Sequence, residues 1–291
     1  MSMVLTGTTV EEQPAELPVL NDRQYRLWVD MLENRIGVRI AVQREGFVRA
    51  QIAKRMAECG ALDADIYFRE VLETIRGTRE WGVLLDRLLV KETSFFRHQS
   101  SHNCVRDRVA ARVAVRPDQP YNIWSVGCAT GEESYSLAMD AHEGFALAGI
   151  KDNYSIIGTD VSSDAIATAR GGIYPLSRVD RLSPAARESY FTSVDDRYVA
   201  VRDFIKKKVA FLTGNILEKE QQYFNQMDLI FCQNVLIYFK RWRRRDIVNM
   251  FAGYLGPGGC LIIGPGELTD WEPENLLRLN APDVHAYEKT A

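Results

Sequence analysis

The chain lacks the features that would place it among metal-bound, disulfide-stapled or membrane proteins. Its five cysteines, Cys59, Cys104, Cys128, Cys232 and Cys260, are odd in number, scattered and never form a CxxC. That excludes a disulfide framework and the usual zinc spacings, and it fits a reducing compartment. His98 and His102 are spaced for one helix face, yet no acidic or cysteine partners are patterned around them, so no metal site is expected. No run approaches ~18 consecutive apolar residues, and the opening MSMVLTGTTVEEQPAELPVL has neither a basic start nor a long apolar stretch. No membrane insertion is expected; the chain reads as a cytoplasmic protein with a disordered tail over residues 1–20. A formal charge of −3 gives no global attraction to nucleic acid or to an anionic membrane, so any basic partner-facing surface must be local. Internal repeats and low-complexity segments are missing too.

What is present is a chain of 291 residues, 46% of them hydrophobic, enough for a sizeable core in two parts. Asn21 suits an N-cap, and Leu27, Trp28, Met31, Leu32 and Ile36 follow at helical spacing, predicting a helix that ends near Gly37. Residues 43–59 read as an amphipathic helix with Arg44, Arg49, Lys54 and Arg55 on its polar surface. Asp63 and Thr78 are expected to cap two more helices, so residues 21–90 predict a small all-α domain, followed by a linker helix over 91–114. From about residue 115 the pattern becomes strand then helix: YNIWSV, SIIGTD, KVAFLTGN, MDLIFCQN, CLIIGP and VHAYEK. This predicts an α/β domain over 115–291 with a doubly wound, mostly parallel sheet, and a ligand at the carboxyl ends of its first strands. Alternation around an Asp-Asp pair predicts a small β insertion at about 190–214.

The first strand opens into SVGCATGEESYS, residues 125–136. Gly127 and Gly131 before a helix outline a nucleotide-binding turn, but the spacing is G-x-x-x-G rather than G-x-G-x-x-G, and a tight turn that merely needs glycine looks the same. Glu132 and Glu133 shift the balance. A helix N-terminus carries roughly +0.5 of a charge and free N–H groups where a pyrophosphate would dock. Two carboxylates there repel a phosphate and welcome a cation, such as the ammonium and sulfonium of S-adenosylmethionine. Asp160, ending SIIGTD, is the carboxylate expected on the ribose hydroxyls. It follows Gly127 by 33 residues, which lengthens the first helix or its return loop beyond the ~20 of a dinucleotide fingerprint. Acidic residues also stabilise any helix start, so that reading stands beside the cofactor one.

Five motifs in order, TSFFR (93–97), WSVGCATGEESYSLAM (124–139), GTDVSSDAIATARGGIY (158–174), FCQNVLIYF (231–239) and LGPGGCLIIGPGE (255–267), resemble those of CheR-type chemotaxis methyltransferases. The resemblance covers nearly everything from residue 21 onward. It implies a Rossmann-like class I S-adenosylmethionine-dependent methyltransferase that esterifies glutamates on the cytoplasmic helical region of a methyl-accepting receptor and releases S-adenosylhomocysteine. It places cofactor contacts on Thr93, Arg97, Glu133, Asp160, the pair Asn215 and Ile216, and the pair Gln233 and Asn234. It turns Arg97 and Tyr238 toward the substrate carboxylate. Lys91 stands where the family often has Asn, and Gln233 where it usually has Arg; both keep hydrogen-bonding capacity but alter charge. The stretch 191–199 is short and glycine-free, which implies a member that does not dock a receptor's terminal peptide. No residue separates a chemotaxis member from the PilK-like twitching-motility branch.

A glutamate side chain has a pKa near ~4.3, so the nucleophile is already ionised at neutral pH and the absence of a catalytic histidine in these motifs is no obstacle. The reaction neutralises one positive and one negative charge, so alignment in a partly closed site should supply most of the catalysis. Arg97 can hold a carboxylate oxygen and Tyr238 fix its rotation. Equally, Arg97 reads as a surface arginine behind two phenylalanines, and Tyr238 as a core tyrosine. KRWRRR (240–245) reads as a solvated helix start, and the basic helix 43–59 as a receptor-facing surface. Two other functions compete: methylation of another substrate, disfavoured because Asn234-Val-Leu-Ile-Tyr238 replaces an Asn-Pro-Pro-Tyr turn, and a cofactor-binding adaptor without turnover. Nothing demands more than a monomer.

Overall fold

A computed structural model describes residues 17–218, 225–269 and 271–290; most of the expected tail lies outside them. The chain divides into two compact units, one of the described residues up to Trp28 with Ala41–Leu84, the other of Val29–Ile40 with everything from Leu85. The division falls inside helices α1 (Asp22–Ile36) and α4 (Ile75–Leu88) rather than at the expected position 90.

The first unit also holds α2 (Glu45–Glu58) and α3 (Ala64–Glu73). Asn21 Oδ1 accepts the Gln24 N–H at 2.9 Å while Gln24 Oε1 accepts the Asn21 N–H at 3.0 Å, a reciprocal capping box that fixes where α1 starts. Asp63 caps α3 as expected, accepting from the N–H groups of Asp65 and Ile66. The fourth cap is Thr74, not Thr78: its hydroxyl accepts the Gly77 N–H at 2.9 Å. Helices α3 and α4 are separated by Thr74 alone, so no loop residues mark the boundary. Trp28 is fully buried, edge-on to Phe68 at 4.9 Å.

Two of the four cations expected on the polar face of α2 form ion pairs inside this unit. Arg49 pairs with Asp22 at 2.7 Å and Glu45 at 2.5 Å, and Arg55 pairs with Glu80 at 2.7 Å and Glu58 at 3.0 Å. Burial acts to raise the Glu80 carboxyl, but hydrogen bonds from Arg55 and Tyr67 hold it below its ordinary value.

The second unit continues through α5 (Gln99–Val115), β1 (Tyr121–Val126), α6 (Glu132–Leu147), β2 (Tyr154–Asp160), α7 (Ser163–Gly171) and β3 (Ile173–Pro175). Then come α8 (Pro184–Tyr190), β4 (Phe191–Ser193), β5 (Tyr198–Val201), α9 (Asp203–Lys206), β6 (Val209–Thr213) and β7 (Met227–Cys232). The chain closes with α10 (Arg241–Tyr254), β8 (Leu255–Ile263), β9 (Leu276–Arg278) and β10 (His285–Lys289). Among the described residues, seven strands form one sheet in the order β6-β2-β1-β7-β8-β10-β9. The first five run parallel and β10 runs antiparallel to both its neighbours. This is the doubly wound, class I methyltransferase-like sheet. Its order reverses between β1 and β7, so the crevice for a ligand lies at their carboxyl ends. Val105, Val109 and Val113 on α5 are fully buried at a four-residue repeat, and α6 is buried on most of its surface, as a helix between a sheet and a second helix must be.

A second sheet, β3-β5-β4, is antiparallel and spans 173–201 rather than 190–214. Asp195 makes its turn, accepting from the N–H groups of Arg197 and Tyr198. Strand β6 belongs to the main sheet, paired with β2 from Ile156↔Val209 to Asp160↔Thr213. Half-exposed edge strands and hairpin strands share the same alternation, so the pattern alone could not assign β6; pairing with β2 does. Likewise TSFFR lies in the turn ahead of α5, not on a helix.

Candidate active site

The loop after β1 is pinned to β2. Gly127 and Cys128 donate to Thr159 O at 2.8 and 3.0 Å, and Ala129 donates to Asp160 Oδ2 at 2.9 Å. Gly127 (φ 69°) and Gly131 (φ 95°) are required sterically as well: a Cβ would meet Val235 Cγ2 at 2.4 Å and Ala169 Cβ at 2.7 Å respectively. Of the five residues other than glycine with left-handed φ among the described residues, three border this crevice: Phe96 (49°) in the TSFFR turn, Ala129 (47°) after β1 and Asn234 (60°) after β7; Gln226 and Asp283 lie ahead of β7 and β10.

Asp160 ends β2 with each carboxylate oxygen holding one backbone donor: Ala129 on Oδ2, and the Ser162 N–H at 2.8 Å on Oδ1. Each oxygen keeps acceptor capacity for a hydroxyl. Burial raises its pKa, opposed by those two N–H bonds and by Lys91. Behind it, Ser162 caps α7 through the Ala165 N–H and donates a short hydrogen bond to Asp86, which also pairs with Lys91 at 3.3 Å. Lys91 thus sits in the support of Asp160.

The two glutamates separate cleanly. Glu132 is buried, accepts from the Thr130 hydroxyl at 2.6 Å and lies 3.6 Å from Arg178, so it fastens the loop. Glu133 accepts from Ser125 Oγ at 2.8 Å on Oε1, and its other oxygen has no partner among the described residues. Burial, the Glu267 carboxylate and Asp160 push it up to about 8 against the Ser125 hydrogen bond and the Arg97 charge. Arg97 is exposed, anchored to Glu92 O at 3.1 Å, and Phe96 N–H donates to Ser136 Oγ at 3.0 Å, tying the TSFFR turn to α6. Thr93 O accepts from Arg178 at 2.8 Å.

Past β7, Asn234 Oδ1 is 3.0 Å from His98 Nε2, joining the TSFFR turn to the β7 turn. Glu267, fully buried, accepts the Gly264 N–H at 2.7 Å and the Ile237 N–H at 3.2 Å, organising the short helical turn Leu236–Tyr238. Burial raises the Glu267 carboxyl while these N–H bonds draw it down.

Residues 91–282 match the model of the CheR methyltransferase, SAM binding domain. The chain belongs to the CheR methyltransferase family. It is 30% identical to the chemotaxis protein methyltransferase of Salmonella typhimurium over 97% of this chain and 96% of that one. The protein of the same name from Escherichia coli is 28% identical over 97% of this chain and 96% of its own length. The one from Borreliella burgdorferi is 28% identical over 86% and 89%. The chain is therefore an S-adenosylmethionine-dependent methyltransferase.

The site of this CheR methyltransferase fits that cofactor on its own chemistry. Gly131 N–H is bonded to Cys128 O, and two carboxylates occupy the start of α6, which leaves no cradle for a pyrophosphate. Asp160 offers two acceptors for a ribose, and Glu133 offers an unpartnered carboxyl oxygen for a cation. Other expected contacts are qualified. Gln233 is buried, its Nε2 donating to Ser101 Oγ at 2.8 Å and Ile263 O at 3.3 Å, which leaves its Oε1 and its backbone to serve a cofactor. The Asn215 side chain is likewise bonded to Arg35 O and the Leu217 N–H, and Ile216 packs on the core. Tyr238 is half-buried against the same core, its carbonyl accepting the Arg39 N–H at 2.8 Å. His102 pairs with buried Asp140 at 2.6 Å. The residues that pattern reading missed are supports: Ser125, Asp86, Ser162, His98 and Glu267. Ser162 had a signal, an N-cap serine after Asp160, and Glu267 closes a recognised motif; Asp86 had none.

Proposed function

We propose that this enzyme methylates glutamate side chains on the cytoplasmic helical region of a chemotaxis-type receptor, leaving glutamate methyl esters and S-adenosylhomocysteine. The observation that carries the reading is Glu133, a lone-partnered carboxyl at the start of α6 beside Asp160, in a chain whose relatives are chemotaxis protein methyltransferases. S-Adenosylmethionine supplies an electrophilic methyl group on a sulfonium. Asp160 binds the ribose hydroxyls, Glu133 the cationic end, and the backbone at Thr93, Asn215, Ile216, Gln233 and Asn234 completes the cofactor contacts. Arg97 orients the incoming carboxylate and Tyr238 fixes its rotation. A substrate carboxylate is ionised at neutral pH, so no general base is needed; its oxygen takes the methyl as the carbon–sulfur bond breaks, the electron pair staying on sulfur. Removing water from two opposite charges that annihilate lowers the barrier, so the enzyme's task is alignment. The enzyme acts in the cytoplasm, as a monomer.

Incubation with radiolabelled donor and a membrane fraction, followed by mild alkali, tests the chemistry. Volatile methanol released from a labelled receptor is expected, and the labelled protein also identifies the pathway. Alkali-stable label would overturn the ester, and cofactor binding without label on any fraction would favour an adaptor.

A further inference from the structure

The start of α10 is built against its own local stability. Residues 240–245 read KRWRRR, no acidic residue stands in the first turn, and no side chain caps the helix. Cations at this end oppose the helix dipole, so they weaken the helix unless another role retains them. Two have structural work: Lys240 pairs with Glu33 at 2.8 Å, and Arg244 donates to the carbonyls of Phe239, Glu267 and Ile237 at 2.9–3.2 Å. Arg241, Arg243 and Arg245 are held less firmly. Arg241 and Arg245 are exposed, Arg245 lying over the Trp271 ring at 5.7 Å, and Arg243 has only Asp246 at 3.8 Å as an acidic neighbour among the described residues. Between them Trp242 is 55% exposed with the Arg243 guanidinium stacked at 4.3 Å from its ring, and Ile237 is 46% exposed. A large aromatic side chain held in place by a stacked arginine, yet left in water, is poorly explained by folding.

Position gives the surface its meaning. Helix α10 follows β7 through the turn that carries Tyr238, so its first turn lies at the carboxyl-end rim of the sheet, starting three residues beyond Tyr238. We propose that Trp242 and Ile237, flanked by Arg241, Arg243 and Arg245, dock the acidic face of the receptor helix that presents the glutamate to be methylated. The proposal rests on a receptor glutamate being the substrate. Helix neighbours three and four residues from a reacting glutamate lie within about 6 Å of it on one face, and further carboxylates there match guanidinium forks. Trp242 supplies the apolar anchor that such charge pairing lacks.

The test uses the intact enzyme and a purified receptor cytoplasmic domain from the same cell. Trp242→Ala, and separately Arg241→Glu with Arg243→Glu and Arg245→Glu, should raise the KM for the receptor about tenfold or more. In both, kcat should fall less than about twofold and calorimetric cofactor affinity stay unchanged, since Arg244 is left in place. A control of equal charge change, Arg116→Glu with Lys151→Glu and Lys207→Glu, lies at the amino ends of β1, β2 and β6 and should leave KM within about twofold. Unchanged KM in the α10 variants, or an equal rise in the control, overturns the docking surface alone. A wild-type enzyme that places no alkali-labile label on the domain overturns the receptor reading and the docking surface with it.

Discussion

Replacing Glu133 by Gln should stabilise the cofactor-free enzyme at alkaline pH while crippling cofactor binding. In the folded protein Glu133 is held up to about 8, chiefly by burial, against 4.5 unfolded; Glu267 and Asp160 add to the rise, and Ser125 and Arg97 oppose it. A carboxyl raised on folding stays protonated in the native state while the unfolded chain has ionised, so its penalty begins near pH 4.5 and grows until about pH 8. Each pH unit in that window costs the wild type about 1.4 kcal/mol relative to a neutral isostere, reaching about 3 kcal/mol at pH 7 and at most about 5 kcal/mol at pH 9. Glutamine keeps an oxygen for Ser125 Oγ and adds no charge. Urea unfolding of both proteins at pH 5, 7 and 9 reads the difference, which should be under about 1 kcal/mol at pH 5 and widen with pH. The same variant should bind S-adenosylmethionine at least ~30-fold more weakly, having lost a charge-assisted contact. A stability difference that is flat from pH 5 to pH 9, or a variant less stable than wild type at pH 9, would refute the reasoning.

Binding of the cationic cofactor should draw the Glu133 proton off, releasing about 0.8–0.9 proton at pH 7; calorimetry in two buffers of different ionisation enthalpy measures it, and zero release would contradict the pairing. Asp160→Ala should abolish measurable cofactor binding, and an unchanged calorimetric affinity would remove it from the ribose site. Gln233→Leu should cost about 1–3 kcal/mol in chemical denaturation by leaving Ser101 unpaired; a stability within about 0.5 kcal/mol of wild type would remove the Gln233–Ser101 bond from the fold's support.

The alternation of strands and helices, the glycine turn and the carboxylate ending SIIGTD were legible because each is a local pattern: periodicity of two or 3.6, a positive φ, an acid at a strand tip. Thr74 and the β6 assignment were not. The first turns on helices meeting without a loop, the second on which strand accepts which edge. The ion pairs of α2 were legible only in part: Arg49 and Arg55 pair with Glu45 and Glu58 on the same helix, but also with Asp22 and Glu80 elsewhere in the chain.

By itself the sequence determined the class of fold and the glycine turn at the carboxyl end of the first strand, with Glu132 and Glu133 placed where a pyrophosphate would meet like charge. Those follow from backbone chemistry and charge within a dozen residues. Only the tertiary structure decided that Glu132 fastens the loop while Glu133 keeps a free oxygen, that Gln233 turns its amide to Ser101, and that His98 and Glu267 brace Asn234 and the Tyr238 turn. Burial and hydrogen-bond partners at separations of up to 136 residues set these roles, and residue type carries no record of who the partner will be.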